Sequence, residues 1–121
     1  MARPGLILIV DDNADVSAAL AAVLELHGYV TVTARDGVDG LSRLQAGLRP
    51  SLIVLDWMMP NLDGRGFLKH LAADPRLGGT PIVIHSAIRS RVLADDVAAT
   101  VVKGQDPDVL VDVVARYAKA A

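Results

Sequence analysis

Two short runs of branched, apolar residues, Leu6-Ile7-Leu8-Ile9-Val10 and Leu52-Ile53-Val54-Leu55, each end abruptly on aspartate. Apolar runs of this length without polar alternation suit strands covered on both faces, the pattern of buried parallel sheets. Asp11-Asp12 closes the first run and Asp56 the second, and a turn follows each. Charged side chains are rarely left buried without a partner. Both runs therefore place carboxylates at the carboxyl end of a strand, where open α/β sheets collect their ligands.

The rest of the chain repeats the alternation. After Asp11-Asp12, either Asp12 or Asn13 is suited to cap a helix in which Val16, Leu20, Val23, Leu24 and His27 recur at helical spacing, with Gly28 as its stop. Tyr29 to Ala34 reads as a second strand, and Asp36-Gly37 as a turn. A second helix is expected over Val38 to Ala46, ending at Gly47. Pro50 opens the third strand. Asn61-Leu62-Asp63-Gly64 is loop chemistry, and a third helix is expected from Gly64 to Ala73 with Phe67, Leu68 and Leu71 inward. Thr80 to His85 is the fourth strand, with Ser86 at its end. Ile88 to Ala99 is expected to be helical, short and poorly defined. Thr100-Val101-Val102 is the fifth strand, ending at Lys103. Asp106 caps a last helix whose buried stripe is Val109, Leu110, Val113, Val114 and Tyr117. Strands alternating with helices predict one α/β domain over residues 1–121, a doubly wound parallel sheet with helices on both faces.

Composition narrows the function. The 121 residues carry a net charge of -2, which excludes a surface-wide nucleic-acid footprint. Cysteine is absent, which excludes disulfides, thiol nucleophiles and cysteine zinc sites. Residues 1–5 are too short and polar for a signal peptide, and no apolar run approaches a membrane span of ~18 residues. A soluble cytoplasmic protein is the expectation. Glu25 is the only glutamate, so the acidity is otherwise aspartate, the short carboxylate of turns, caps and metal sites.

In a parallel sheet, Asp11, Asp12, Asp56, Ser86 and Lys103 all lie at one edge. Three carboxylates share a small site only if a cation or proton compensates their repulsion. Mg²⁺ suits such a set, being hard and oxygen-seeking. With a metal bound, Asp56 is an oxygen nucleophile toward phosphorus. Phosphoryl transfer needs cations on the equatorial oxygens, and Lys103 supplies a second one. Ser86 is placed to donate to a third oxygen.

Val10-Asp11-Asp12, Leu55-Asp56-x-x-Met59-Pro60-x-x-Asp63-Gly64, His85-Ser86-Ala87 and Val102-Lys103 together resemble the response regulator receiver domains of two-component signalling. The likeness covers essentially the whole chain. It implies a (βα)5 flavodoxin-like fold with strand order 2-1-3-4-5. Asp56 would then be the phosphoacceptor. Asp12, Asp56 and the Met58 backbone carbonyl would bind Mg²⁺ directly, and Asp11 mostly through water. Ser86 would take the hydroxyl role and Lys103 the phosphate-binding role. A sensor histidine kinase or phosphotransfer protein would supply the phosphoryl group. The signal would shift the side formed by the fourth helix, fifth strand and last helix.

Several positions depart from the family. Gly104 follows Lys103 where proline is usual, which puts the usual cis peptide in doubt. Thr100 stands where an aromatic residue usually reports phosphorylation. The stretch from Ser86 to Lys103 is short, which implies a shortened or irregular fourth helix. Met58 and Ile88, at positions that tune water access to the phosphate, are both apolar and imply slow self-dephosphorylation. With no output domain in the sequence, output would be through binding or phosphotransfer to a partner protein, without direct nucleic-acid or membrane contact, as a monomer or weak homodimer. Met1 favours a stand-alone regulator over a fragment of a hybrid kinase. Such a module is not an enzyme beyond its own phosphorylation and dephosphorylation.

Two other readings compete. A Mg²⁺-dependent aspartyl phosphatase needs an acid two residues after the nucleophile, where Met58 stands. A pseudo-receiver used only for docking is disfavoured by the intact acids. Among the remaining residues, His27, His70 and His85 lack metal-ligand spacing. His85 should point away from Ser86 by strand alternation, and Trp57 is expected on the solvent side of its loop.

Overall fold

A computed structural model describes residues 5–87 and 97–118. The elements are β1 (Leu6–Val10), α1 (Ala14–Leu26), β2 (Val30–Ala34), α2 (Gly37–Gln45), β3 (Leu52–Asp56), α3 (Gly64–Ala73), β4 (Ile82–Ser86), β5 (Ala99–Val102) and α4 (Pro107–Tyr117). The five strands form one sheet in the order β2-β1-β3-β4-β5, and every neighbouring pair is parallel. The flavodoxin-like arrangement expected from the sequence is the arrangement found.

Alternation along each apolar run divides it between two layers. Leu8, Val10, Ile53, Leu55, Ile82 and Ile84 pack with Leu41, Leu44, Phe67 and Leu71 of α2 and α3. Ile7, Ile9, Leu52, Val54, Val83 and Val101 pack with Leu24, Leu110, Val111 and Val114 of α1 and α4. Burying one such side chain stabilises by roughly 1.5–3 kcal/mol. Aliphatic residues do most of this work, with Phe67 the one fully buried aromatic.

Each helix starts on a side chain that takes up its orphan amides. Asn13 Oδ1 accepts from Asp15 and Val16 N–H at 3.0 and 3.1 Å. Asp36 accepts from Asp39 N–H at 2.8 Å, Asp63 from Gly66 N–H at 2.8 Å, and Asp106 from Asp108 N–H at 2.9 Å. Six of the thirteen aspartates serve this capping chemistry or the acidic rim.

Three expectations need correction. β4 starts at Ile82, because Pro81 has no N–H to donate and joins the sheet only through its carbonyl, which accepts from Ile53. The helix expected up to Ala99 does not reach it: Ala98 N–H donates to Ile82 O at 2.8 Å, and Ala99 is strand. The rest of that expectation, with Ile88, lies outside the described residues. On α4 Leu110, Val111 and Val114 are buried, with the expected Val113 and Tyr117 partly buried against the same layer, while Val109 is exposed. His27, read as structural or surface, is exposed at the C-cap of α1, its ring Nδ1 3.0 Å from Val23 O.

Candidate functional site

The carboxyl ends of β1, β3, β4 and the start of the loop after β5 form one rim. Asp11 and Asp56 are both buried there, while Asp12 is exposed. Asp11, Asp12 and Asp56 each offer a carboxylate oxygen, and these oxygens lie within 4.8 Å of one another. Lys103 Nζ lies 3.0 Å from Asp11 Oδ2 and 3.3 Å from Asp56 Oδ1. The four charged groups anticipated from the sequence are therefore brought together.

Backbone geometry fixes each of them. Asp11 N–H donates to Ala34 O at 3.2 Å, extending the β1–β2 ladder past the last strand residue. Asp11 Oδ1 also accepts from Asn13 N–H at 2.9 Å, so this carboxylate turns the chain into α1 while facing Lys103. Asp56 is the last residue of β3 and sits in register with His85. Ser86 is buried one residue further along β4, and its carbonyl accepts from Lys103 N–H at 2.7 Å. Ser86 and Lys103 thus share a tie across the ends of β4 and β5. No peptide bond among the described residues is cis, and Gly104 takes a φ of 86°.

Electrostatics at the rim is unbalanced. Asp56 is pushed from the usual 3.8 to about 6, first by burial and then by the Asp11 carboxylate, with Lys103 pulling the other way. Burial also works against the charge of Lys103, but its contacts with Asp11 and Asp56 win and hold the amine above its ordinary range. One ammonium does not satisfy three carboxylates. All-oxygen donors with surplus negative charge are what a hard divalent cation requires. The donor set fits Mg²⁺.

The loop after Asp56 is more ordered than the sequence indicated. Trp57 is half-buried rather than on the solvent side, packing against the α2–α3 layer. The Arg65 guanidinium carbon lies 5.9 Å from its ring centroid, within cation–π range. Gly64 permits this, since a Cβ there would lie 2.5 Å from Trp57 Cε3. Met58 projects its side chain into solvent, 68% exposed. Spacing alone gave no signal for the Trp57–Arg65 stack.

His85 is buried, and burial first and Lys103 second keep it below the usual histidine range. It lines a cavity of about 130 Å³ with Leu20, Val23, Val101 and Leu110, on the α1–α4 side. That placement fits the alternation expected for it.

Fold and rim together define an open parallel α/β domain with a partly neutralised acidic site at its carboxyl edge. The response regulator receiver domain pattern matches residues 7–115, and the chain belongs to that family. Among solved structures, a putative response regulator from Chloroflexus aurantiacus is similar at 26% identity and TM-score 0.86, over 95% of this chain and 98% of the other. The chemotaxis response regulator CheY4 of Vibrio cholerae has 25% identity and TM-score 0.85, over 94% and 98%. Among curated relatives, a protein-glutamate methylesterase/protein-glutamine glutaminase of Symbiobacterium thermophilum is 41% identical over 87 residues, 70% of this chain and 23% of that protein. The hybrid signal transduction histidine kinase D of Dictyostelium discoideum is 35% identical over 82 residues, 68% of this chain but 5% of that protein. The chain thus spans a small part of these curated relatives. None of the described helices is long and apolar enough to cross a membrane.

Proposed function

We propose that this receiver domain, taken as residues 1–121, accepts a phosphoryl group on Asp56 from a histidine kinase or phosphotransfer protein and passes the signal on by binding or phosphotransfer. The observation that carries this reading is the position of Lys103 Nζ, within 3.3 Å of both buried carboxylates at the rim.

An Asp56 carboxylate oxygen attacks phosphorus in line. The bond between phosphorus and the donor imidazole nitrogen breaks, and that nitrogen takes the electron pair and then a proton. From acetyl phosphate the leaving group is acetate. The product is an acyl phosphate whose charge has moved from the carboxylate onto the phosphoryl oxygens. Lys103 follows that charge, and the Ser86 hydroxyl donates to another phosphoryl oxygen. Asp11, Asp12, Asp56 and the Met58 carbonyl would hold Mg²⁺, with Asp11 acting mostly through water. When bound, Mg²⁺ neutralises the acids and the phosphoryl oxygens.

Both groups that meet the phosphate are tied by the Lys103 N–H to Ser86 carbonyl bond at 2.7 Å. A phosphoryl group drawing on either side chain therefore acts on both strand ends at once, biasing the chain around them. Thr100 is exposed on β5, so this route serves without the family's usual aromatic reporter. The domain works in the cytoplasm as a monomer or weak homodimer, without catalysis on other substrates and without direct nucleic-acid contact.

Incubation with acetyl phosphate and Mg²⁺, followed by intact mass measurement, tests the reading. One added phosphoryl on the parent and none on Asp56→Asn supports it. A parent that takes up phosphate from neither acetyl phosphate nor any histidine kinase overturns it.

A further inference from the structure

Asn61 has a φ of 69°, the one positive value at a non-glycine among the described residues. Leu62 N–H donates to Pro60 O at 2.7 Å, closing a three-residue turn around it. A γ-turn of this hand is strained and rare, and asparagine tolerates it better than most residues. Backbone strain of this kind persists only where the surroundings over-determine it.

The surroundings here belong to α2. Asn61 Nδ2 donates to Asp36 Oδ2 at 3.2 Å, across 25 residues of sequence. The other oxygen of Asp36 caps α2 through Asp39 N–H at 2.8 Å. Next to them, Leu62 sits over Gly37, where a Cβ would lie 2.6 Å from Leu62 O. The two ends of the same loop are joined by Gly64 N–H to Trp57 O at 2.9 Å. The segment from Trp57 to Asp63, which carries the Met58 carbonyl, is therefore closed across its two ends by its own backbone and gripped between them by the start of α2.

We infer that Asp36 and Asn61 form a latch that positions the Met58 loop for the metal, making the first turn of α2 a control point for Mg²⁺ affinity. Asp36 and Asn61 are positioning residues, since neither belongs to the acid cluster. The inference rests on the proposed function and adds a residue pair and a helix to it. Its consequence is reciprocal: whatever shifts the start of α2 alters metal binding, and metal binding alters the start of α2.

A polarity swap tests the latch. Asn61→Asp sets two carboxylates face to face while keeping a residue that tolerates positive φ. It should weaken Mg²⁺ binding, read by Trp57 fluorescence and by calorimetry, by about tenfold, with little change in global unfolding. Asp36→Asn alone keeps one oxygen for the helix cap and turns an amide N–H toward Asn61, whose own amide can flip so that its oxygen accepts from it, so the effect should stay within about twofold. The double variant Asp36→Asn/Asn61→Asp reverses donor and acceptor and should restore parental affinity to within about twofold. An Asn61→Asp protein that binds Mg²⁺ as tightly as the parent, or a double variant that does not recover, overturns the latch alone. A parent that does not bind Mg²⁺ overturns the latch together with the metal reading beneath it.

Discussion

Lys103 lies closer to Asp11 than to Asp56, at 3.0 against 3.3 Å. The ammonium group is thus shared, and the carboxylate proposed to react holds the weaker share. Asp56 has a partner to keep it in place and too little positive charge to make it comfortable.

Removing the shared cation should expose this. Lys103→Met leaves two buried carboxylates facing each other. Phosphoryl uptake from acetyl phosphate is expected to fall about 100-fold, as for loss of one charge-stabilising donor. Metal-free stability at neutral pH should drop by about 1–3 kcal/mol, because removing one partner strands the others. Mass spectrometry over time and urea unfolding read the two effects separately.

The raised pKa of Asp56 fixes the sign of a pH effect. Its folded value, about 6, lies above its ordinary 3.8, so between those limits the folded protein binds more protons than the unfolded one. Stability of the metal-free protein therefore falls as pH rises through this window. Asp56→Asn removes the penalty. The variant should be more stable than the parent by about 1–3 kcal/mol at about pH 7.5 and should lose that advantage near about pH 4. Comparing parent and variant cancels Asp36 and Asp74, whose capping and ion-pair contacts lower their pKa values and act in the opposite direction. Equal stabilities at every pH would contradict the tension at the rim.

Mg²⁺ competes with the same proton. Its affinity, followed by Trp57 fluorescence, should weaken as pH falls through about 6. Saturating Mg²⁺ should also remove most of the stability gap between parent and Asp56→Asn at neutral pH. EDTA should restore the gap.

Gly64→Ala probes the packed loop. The new methyl would meet Trp57 Cε3 at 2.5 Å and Trp57 Cα at 3.0 Å, and backbone cannot move aside cheaply. A loss of about 1–3 kcal/mol is expected from this overpacking, with a change in the fluorescence of Trp57.

Met58 is 68% exposed beside the proposed acyl phosphate and offers no group to orient a water. Phosphorylated protein should therefore outlast a few seconds. Met58→Asn should shorten its lifetime, measured as decay of the phosphorylated mass after the donor is removed.

Much of the fold could be read directly, because the apolar runs are short, unbroken and bounded by aspartate or glycine. β1 and α3 begin and end where patterning places them. Patterning failed where one backbone group decides, as at Pro81, or where a register choice follows from packing, as with Val111 replacing Val109. The acidic set and Lys103 were legible because parallel strands must deliver their ends to one edge. The Trp57–Arg65 stack and the Asp36–Asn61 contact were not, since each depends on how a loop folds back on distant sequence.

The adjacent residues His85 and Ser86 show how strictly this sheet must be assembled. Strand pairing sets Asp56 against His85 and Ser86 against Val102. A shift of β4 by a single residue would reverse the faces of the whole strand. It would turn the imidazole out of its apolar layer, put isoleucines in the wrong core and carry the Ser86 side chain to the opposite face. Misalignment would thus be a chemical fault as well as a packing fault, and the same isoleucines that fill the core act as proofreaders of the reactive edge.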